Sequence, residues 1–271
     1  MSFTLQNKGG VQYHTADQFT ALGGVRHGFA TRLGGVSQGV CAGLNMSRSE
    51  LDLPSRVREN YHRLTAALGT DETKLVMTRQ VHTDLVRVVT RADVLADLYD
   101  PIPYDADGLI TDIPGLTLTI FYADCIPILL YDPVRQVAGA VHSGWRGTWL
   151  GILTNAVEKM VTVFGCNPRE IRAAIGPGIC PQCFETHADV PDAMTETLGS
   201  AAAPFIEPLP GGKFHVDLKG LLRLRLEKAG LGPQHVDVLP ECTCCNRDLY
   251  WSHRRLGPQR GNQCAMIQLA E

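Results

Sequence analysis

The 271 residues carry 25 Lys and Arg against 28 Asp and Glu, a formal charge of −3, with 44% hydrophobic and 20% charged residues. That balance offers no basic stripe for nucleic acid or an anionic membrane, and it provides enough apolar side chain for a sizeable core. The opening MSFTLQNKGG lacks the basic and apolar regions of a secretory signal, and the longest apolar stretch, from Leu116, is interrupted by Asp124 and Pro127 well short of the roughly 20 residues a membrane helix needs. A cytoplasmic protein is expected. Nine cysteines, an odd number, then point to reduced thiols, metal ligation or catalysis rather than disulfides.

Along the chain, the apolar periodicity predicts a helix over 55–68 and strands over 84–89, 116–122, 126–131 and 136–141. Asp132-Pro133 between the last two is a tight-turn signal, so an antiparallel hairpin is expected mid-chain rather than a purely parallel sheet. A helix over 152–164, a strand over 171–175, helices over 188–198 and 218–229, and a strand over 264–269 follow. Asp217 and Gly230 are the expected start and stop of the last helix. With no repeat, low-complexity segment or charged linker, residues 1–271 are expected to form one domain of mixed α and β structure.

Three segments at strand ends carry chemistry. Gln80-Val81-His82 precedes one strand, Ala123-Asp124-Cys125 joins two others, and Val141-His142-Ser143-Gly144-Trp145-Arg146-Gly147 leaves a third to enter a helix. Two imidazoles and a thiolate suit zinc, and three protein ligands leave a fourth tetrahedral position open, the pattern of a catalytic site. On spacing alone, His82 and His142 as structural histidines and Cys125 as a small buried apolar residue stay open. In the last segment Gly144 and Gly147 permit close backbone approach, and Arg146 offers a fork for phosphate or carboxylate, unless it merely pairs at the surface. The Gly-rich stretch 31–37, with Arg32, is a weaker candidate anion loop. Cys180 and Cys183 with the 242–245 cluster could supply four thiolates to a structural zinc, but the CxCC pattern matches a second knuckle poorly, so buried reduced thiols are expected there.

TRQVH, DADGLIT, YADCIPILLYD, AGAVHSGWRG, AAIGPGIC and CTCCNRDLYWSHRR together resemble the laccase-domain purine nucleoside phosphorylase family, also called YfiH-like and formerly multicopper polyphenol oxidases. The resemblance runs from the HGFATRLGGVS segment at His27 to the GNQCAMI segment near the end. It implies an α+β fold, layered α/β/β/α with mixed β-sheets, and a metal centre of His82, Cys125 and His142. The implied activity is phosphorolysis of adenosine, inosine, guanosine and methylthioadenosine, with adenosine deamination, by a monomer or homodimer. The implied cofactor is zinc, with copper as the other candidate. Multicopper oxidation asks for many more paired histidines than the sequence offers.

Candidate catalytic residues are His82, Cys125, His142, Asp124 and Arg146. Asp124 is the proposed proton carrier in deamination, provided the backbone turns there, since neighbours on a strand face opposite sides. Candidate substrate and phosphate ligands are Arg32, Asn45, Gln80, Ser143, Gly144 and Arg146. The alternatives are a Cys-His hydrolase editing peptidoglycan precursors, a copper-dependent polyphenol oxidase, and a non-catalytic binding protein.

Overall fold

A computed structural model describes residues 2–271, and its layers follow from single strands. In Ile126–Asp132, Ile126, Ile128 and Leu130 enter one core while Leu129 and Tyr131 enter another. A strand buried on both faces is largely apolar, which is why this stretch reads as one hydrophobic run up to the turn residue Asp132. Its hairpin partner, Val137–Ser143, pairs antiparallel from Asp132 opposite Val137. Asp132 Oδ1 closes the turn by accepting the N–H groups of Val134 and Arg135, at 2.9 and 3.0 Å.

Around this hairpin a six-stranded mixed sheet forms in the order Val236–Val238, Arg172–Ile175, Ile126–Asp132, Val137–Ser143, Gly108–Thr111, Val86–Val88. A second six-stranded sheet runs Phe3–Lys8, Val11–Ala16, Val25–Ala30, Gln263–Leu269, Thr117–Tyr122, Leu75–Val76. The sheets pack face to face, with Phe29, Leu118, Ile120 and Ile267 on one side meeting Leu129, Tyr131, Ala138 and Ala140 on the other. Outside the second sheet lies the helix Pro54–Leu68, which turns Val57, Tyr61 and Leu64 inward. Outside the first lie Ile152–Phe164 and Leu218–Lys228, with Asp189–Leu198 packed into the same core. The result is an α/β/β/α arrangement with mixed sheets. A small third sheet of Glu185–Thr186, Lys213–Val216 and Ile206–Leu209 flanks it.

The expected helices are present, 152–164 as Ile152–Phe164 and 55–68 as Pro54–Leu68. The strand expected over 84–89 shortens to Val86–Val88. The first three strands were not expected. Phe3–Lys8 is an edge strand with largely exposed polar side chains and no apolar run, and its turn is formed by Gly9 and Gly10 at φ 61° and 84°. No described helix is long and apolar enough to cross a membrane.

Two connections pass between the sheets and set the site. Residues 77–85 lead from Leu75–Val76 in one sheet to Val86–Val88 in the other, and 123–125 lead from Thr117–Tyr122 to Ile126–Asp132. His82 lies on the first crossover and Cys125 on the second.

Candidate metal centre

Both crossovers turn sharply, with His82 at φ 61° and Asp124 at φ 88°, where only glycine is at ease. The turn brings His82 Nε2 to 3.7 Å from Cys125 Sγ. His142, at the end of Val137–Ser143, stands edge-on to His82 with ring centroids 5.0 Å apart. Ligand atoms of the three residues all lie within 4.8 Å of one another.

Asp107, fully buried just before Gly108–Thr111, organises the group. Its Oδ1 sits 2.9 Å from His142 Nδ1 and accepts the His82 N–H at 3.1 Å. Its Oδ2 accepts the N–H groups of Val81 and Thr83, at 3.2 and 2.8 Å, and the Thr83 hydroxyl at 3.0 Å. A carboxylate only accepts, so His142 donates through Nδ1 and turns Nε2 toward the cluster, the arrangement of an oriented metal ligand. Burial would raise the Cys125 thiol, but the His142 and His82 imidazoles outweigh it and bring it down to about 6. Burial would likewise lower His142, yet the Cys125 sulfur and the Asp107 carboxylate raise it to about 9. The donors form a thiolate facing an imidazolium, and a cation displacing that proton meets two nitrogens and one sulfur. The residues fit a metal ion such as zinc. Gly144 completes the fit, since a Cβ there would stand 2.9 Å from Cys125 Sγ and 3.2 Å from His82 Cδ2.

The cluster opens into a cavity of about 780 Å³, within the roughly 300–1,000 Å³ usual for small-molecule sites. Phe121, Trp145 and Phe184 give it aromatic walls, and Arg48, Arg146, Arg254 and Arg260 make it cationic, while Arg79 on the same lining is paired with Asp105. Asp124 is the sole carboxylate among its lining residues.

A family model described as multi-copper polyphenol oxidoreductase laccase matches residues 26–270. The chain belongs to this laccase family. The protein named purine nucleoside phosphorylase in Deinococcus radiodurans is 39% identical over 245 residues, covering 90% of this chain and 89% of that one. Purine nucleoside phosphorylase LACC1 of Mus musculus is 32% identical over 252 residues, 90% of this chain but 56% of the relative, so the chain spans about half of that protein's length. The crystal structure of YlmD from Geobacillus stearothermophilus matches with a TM-score of 0.92 at 33% identity, covering 100% of this chain and 99% of that one.

In this laccase-family chain the remaining expected site residues divide. Arg146 and Gly144 line the cavity, and Arg146 lies over the Trp145 ring at 4.4 Å with no ion-pair partner among the described residues. Gln80 also lines it, but its amide is bound to the Phe121 backbone, accepting from N at 2.6 Å and donating to O at 2.8 Å. Asp124 turns as required, yet its Oδ1 accepts the Thr243 hydroxyl at 2.7 Å and its Oδ2 accepts the Ser252 hydroxyl and the Arg254 N–H, at 3.0 and 2.6 Å.

Three of the expected residues stand outside the cavity lining. Arg32 stays outside the cavity, donating to Ala42 O at 3.0 Å and lying over the Trp251 ring at 4.9 Å. Asn45 is buried, its Oδ1 accepting the N–H groups of Ser47 and Asn262 at 3.0 and 3.1 Å, so it pins two loops together. Ser143 is buried against Thr148, hydroxyl to hydroxyl at 3.0 Å, because successive strand residues face opposite sides and His142 takes the cavity side. Asp107 and the arginines beyond Arg146 were not picked out from sequence. An acidic residue at the mouth of an otherwise apolar strand, as in DADGLIT, was the available signal for the first, since a carboxylate there needs several donors.

Proposed function

We propose that the chain is a purine nucleoside phosphorylase acting on adenosine, inosine, guanosine and methylthioadenosine, with adenosine deaminase activity. The whole of 1–271 acts as one domain, and the centre of His82, Cys125 and His142 binds zinc. One observation carries this reading: the three-donor cluster opens into a single cavity that is cationic and aromatic at once. Phosphate asks for fixed guanidinium groups, and a purine asks for flat apolar walls. The relatives' printed names support it.

In the proposed reaction Arg146, free of other partners, holds inorganic phosphate beside the ribose. A phosphate oxygen bonds to C1′ as the bond from C1′ to the base nitrogen breaks, and the base leaves with that electron pair and takes up a proton. Positioning is the main contribution of the protein, since the two reactants are held together in one cavity. Trp145 and Phe184 confine the base, and Asp107 keeps His142 in its tautomer. Zinc, when bound, supplies Lewis acidity toward an oxygen of the substrate. Two imidazoles and one thiolate favour zinc over a multicopper cluster, which needs further histidines.

A second reading has an observation of its own. Asp107, His142 and the lowered Cys125 thiol also compose the parts of a thiolate nucleophile with its oriented base, as in a hydrolase. The deciding experiment incubates purified protein with each nucleoside, with and without phosphate, and identifies products by chromatography beside Cys125→Ala. Free base and ribose-1-phosphate only in the phosphate samples, lost in the variant, support the phosphorylase. No product with any nucleoside, from metal-free protein whose Cys125 is alkylated in proportion to lost hydrolysis of a peptide substrate, supports the hydrolase instead.

A further inference from the structure

Four other cysteines converge away from this centre. Cys180 and Cys183 follow the strand Arg172–Ile175, and Cys242 and Cys245 follow its parallel neighbour Val236–Val238. A bridge between Gly178 and Cys242 prolongs that pairing and aligns the two segments. All four sulfurs lie within 4.8 Å of one another, with Cys183 Sγ to Cys245 Sγ at 3.4 Å and Cys180 Sγ to Cys245 Sγ at 3.9 Å. Thiolates placed tetrahedrally about zinc at about 2.3 Å stand roughly 3.8 Å apart. The spacing is therefore C-x-x-C twice, with Cys244 left outside. The four cysteines are free, as expected, and they stand together as one cluster, which the extra cysteine at 244 obscured in the sequence.

Two further observations point to a bound cation. Cys242 Sγ receives the N–H groups of Cys180 and Cys245, at 3.2 and 3.4 Å, a pattern that favours a charged sulfur over a neutral thiol. Beside it lies Lys219, only 7% exposed, whose Nζ donates to the carbonyls of Leu239 and Glu241 at 2.7 and 2.8 Å. No carboxylate lies within ion-pair distance of this ammonium among the described residues, Asp217 and Glu241 acting on it only from farther off, and a buried charge without a direct partner is costly. Four thiolates around a divalent ion carry two net negative charges and would offset it.

We propose that Cys180, Cys183, Cys242 and Cys245 hold one structural zinc ion in a closed four-thiolate site. The ion clamps the 178–184 segment to the 242–254 segment. These segments bring Ile179, Phe184, His253 and Arg254 to the cavity wall, and Thr243, Ser252 and Arg254 to Asp124. The site is thus a fastener for one wall of the cavity, whatever substrate the cavity takes.

The test uses full-length Cys125→Ala, which cripples the other centre. Reduced, zinc-loaded and desalted, it should retain one zinc per chain by plasma mass spectrometry. Its cobalt form should show the intense visible bands and near-ultraviolet charge transfer of four thiolates. A mercurial reagent added to the folded protein should release the zinc as four sulfurs react, and Cys245→Ser in the same background should abolish the cobalt charge transfer. Because Cys245→Ser could fail to fold, the mercurial titration decides alone in that case. A folded Cys125→Ala protein without retained metal, a cobalt spectrum of nitrogen ligands only, or a Cys183–Cys245 disulfide persisting under reductant would overturn the proposal.

Discussion

Asp107 and His142 are locked together: the carboxylate that accepts the His142 Nδ1–H hydrogen bond at 2.9 Å also accepts the backbone N–H groups of Val81, His82 and Thr83. One buried group therefore orients one ligand and anchors the loop of another. Asp107→Asn places an amide NH₂ where N–H donors already point. The expected result is metal affinity weaker by on the order of 10–100-fold, measured by competition with a chromophoric chelator. Unchanged affinity would remove Asp107 from its positioning role.

Gly144 has an ordinary φ of −81°, so alanine there strains no backbone. Its added methyl, however, would enter the space between Cys125 Sγ and His82. Gly144→Ala should keep its unfolding temperature within a few degrees while metal content and turnover fall together. If turnover survives, the space between the ligands is not where a metal sits.

Arg146 is exposed and lies over the Trp145 ring, so Arg146→Ala should fold normally. The KM for phosphate should rise at least about tenfold while the KM for nucleoside changes little, since one charged fork contributes on the order of 1.5–3 kcal/mol. Arg146→Lys should recover part of the loss, a lysine supplying the charge without the fork.

Asp124 separates two roles. Asp124→Ala strands the Thr243, Ser252 and Arg254 donors and puts alanine at φ 88°, so it should destabilise the fold by roughly 3 kcal/mol or more in denaturant. Asparagine tolerates that backbone and keeps most of the hydrogen bonds. Asp124→Asn should hold both stability and deaminase activity if the residue positions the loop, and should lose deamination alone if it carries a proton.

His27 ties stability to pH. It is buried beside Phe19, its Nε2 accepts the Ala16 N–H at 2.8 Å, and burial lowers its pKa to about 4. The unfolded chain, near 6.5, binds the proton first, so this contribution is complete above about 6.5 and drains away as pH falls toward 4. The full difference amounts to about 3 kcal/mol. Urea midpoints at pH 7.5 and 5 should fall less steeply for His27→Gln than for the parent, and equal slopes would show that His27 titrates as it does unfolded.

The sheet-forming hairpin was legible because Ile126–Asp132 is buried on both faces and its run Ile126 to Leu130 is written in apolar residues alone. The candidate ligands His82, Cys125 and His142 came from the family resemblance, since spacing alone left structural roles open for all three. Asp107 was not legible, because nothing in the sequence separates it from its neighbour Asp105, and its worth lies in donors contributed by residues 81–83 and 142. Arg32 and Asn45 look available in the sequence for the converse reason: their polar groups bond carbonyls and N–H groups of loops adjacent only in space.

His82 and Cys125 both ride on the crossovers that carry the chain from one sheet to the other, while His142 belongs to a single sheet. The centre therefore works as a gauge of how the sandwich is seated. A slide of one sheet across the other by the width of a methyl group would spoil the spacing of the donors before any strand lost a hydrogen bond. Side-chain volume along the inner faces, at Ala138 and Ala140 above all, is accordingly a tuning parameter for the chemistry, and enlarging it should detune the centre in proportion to the gap it forces.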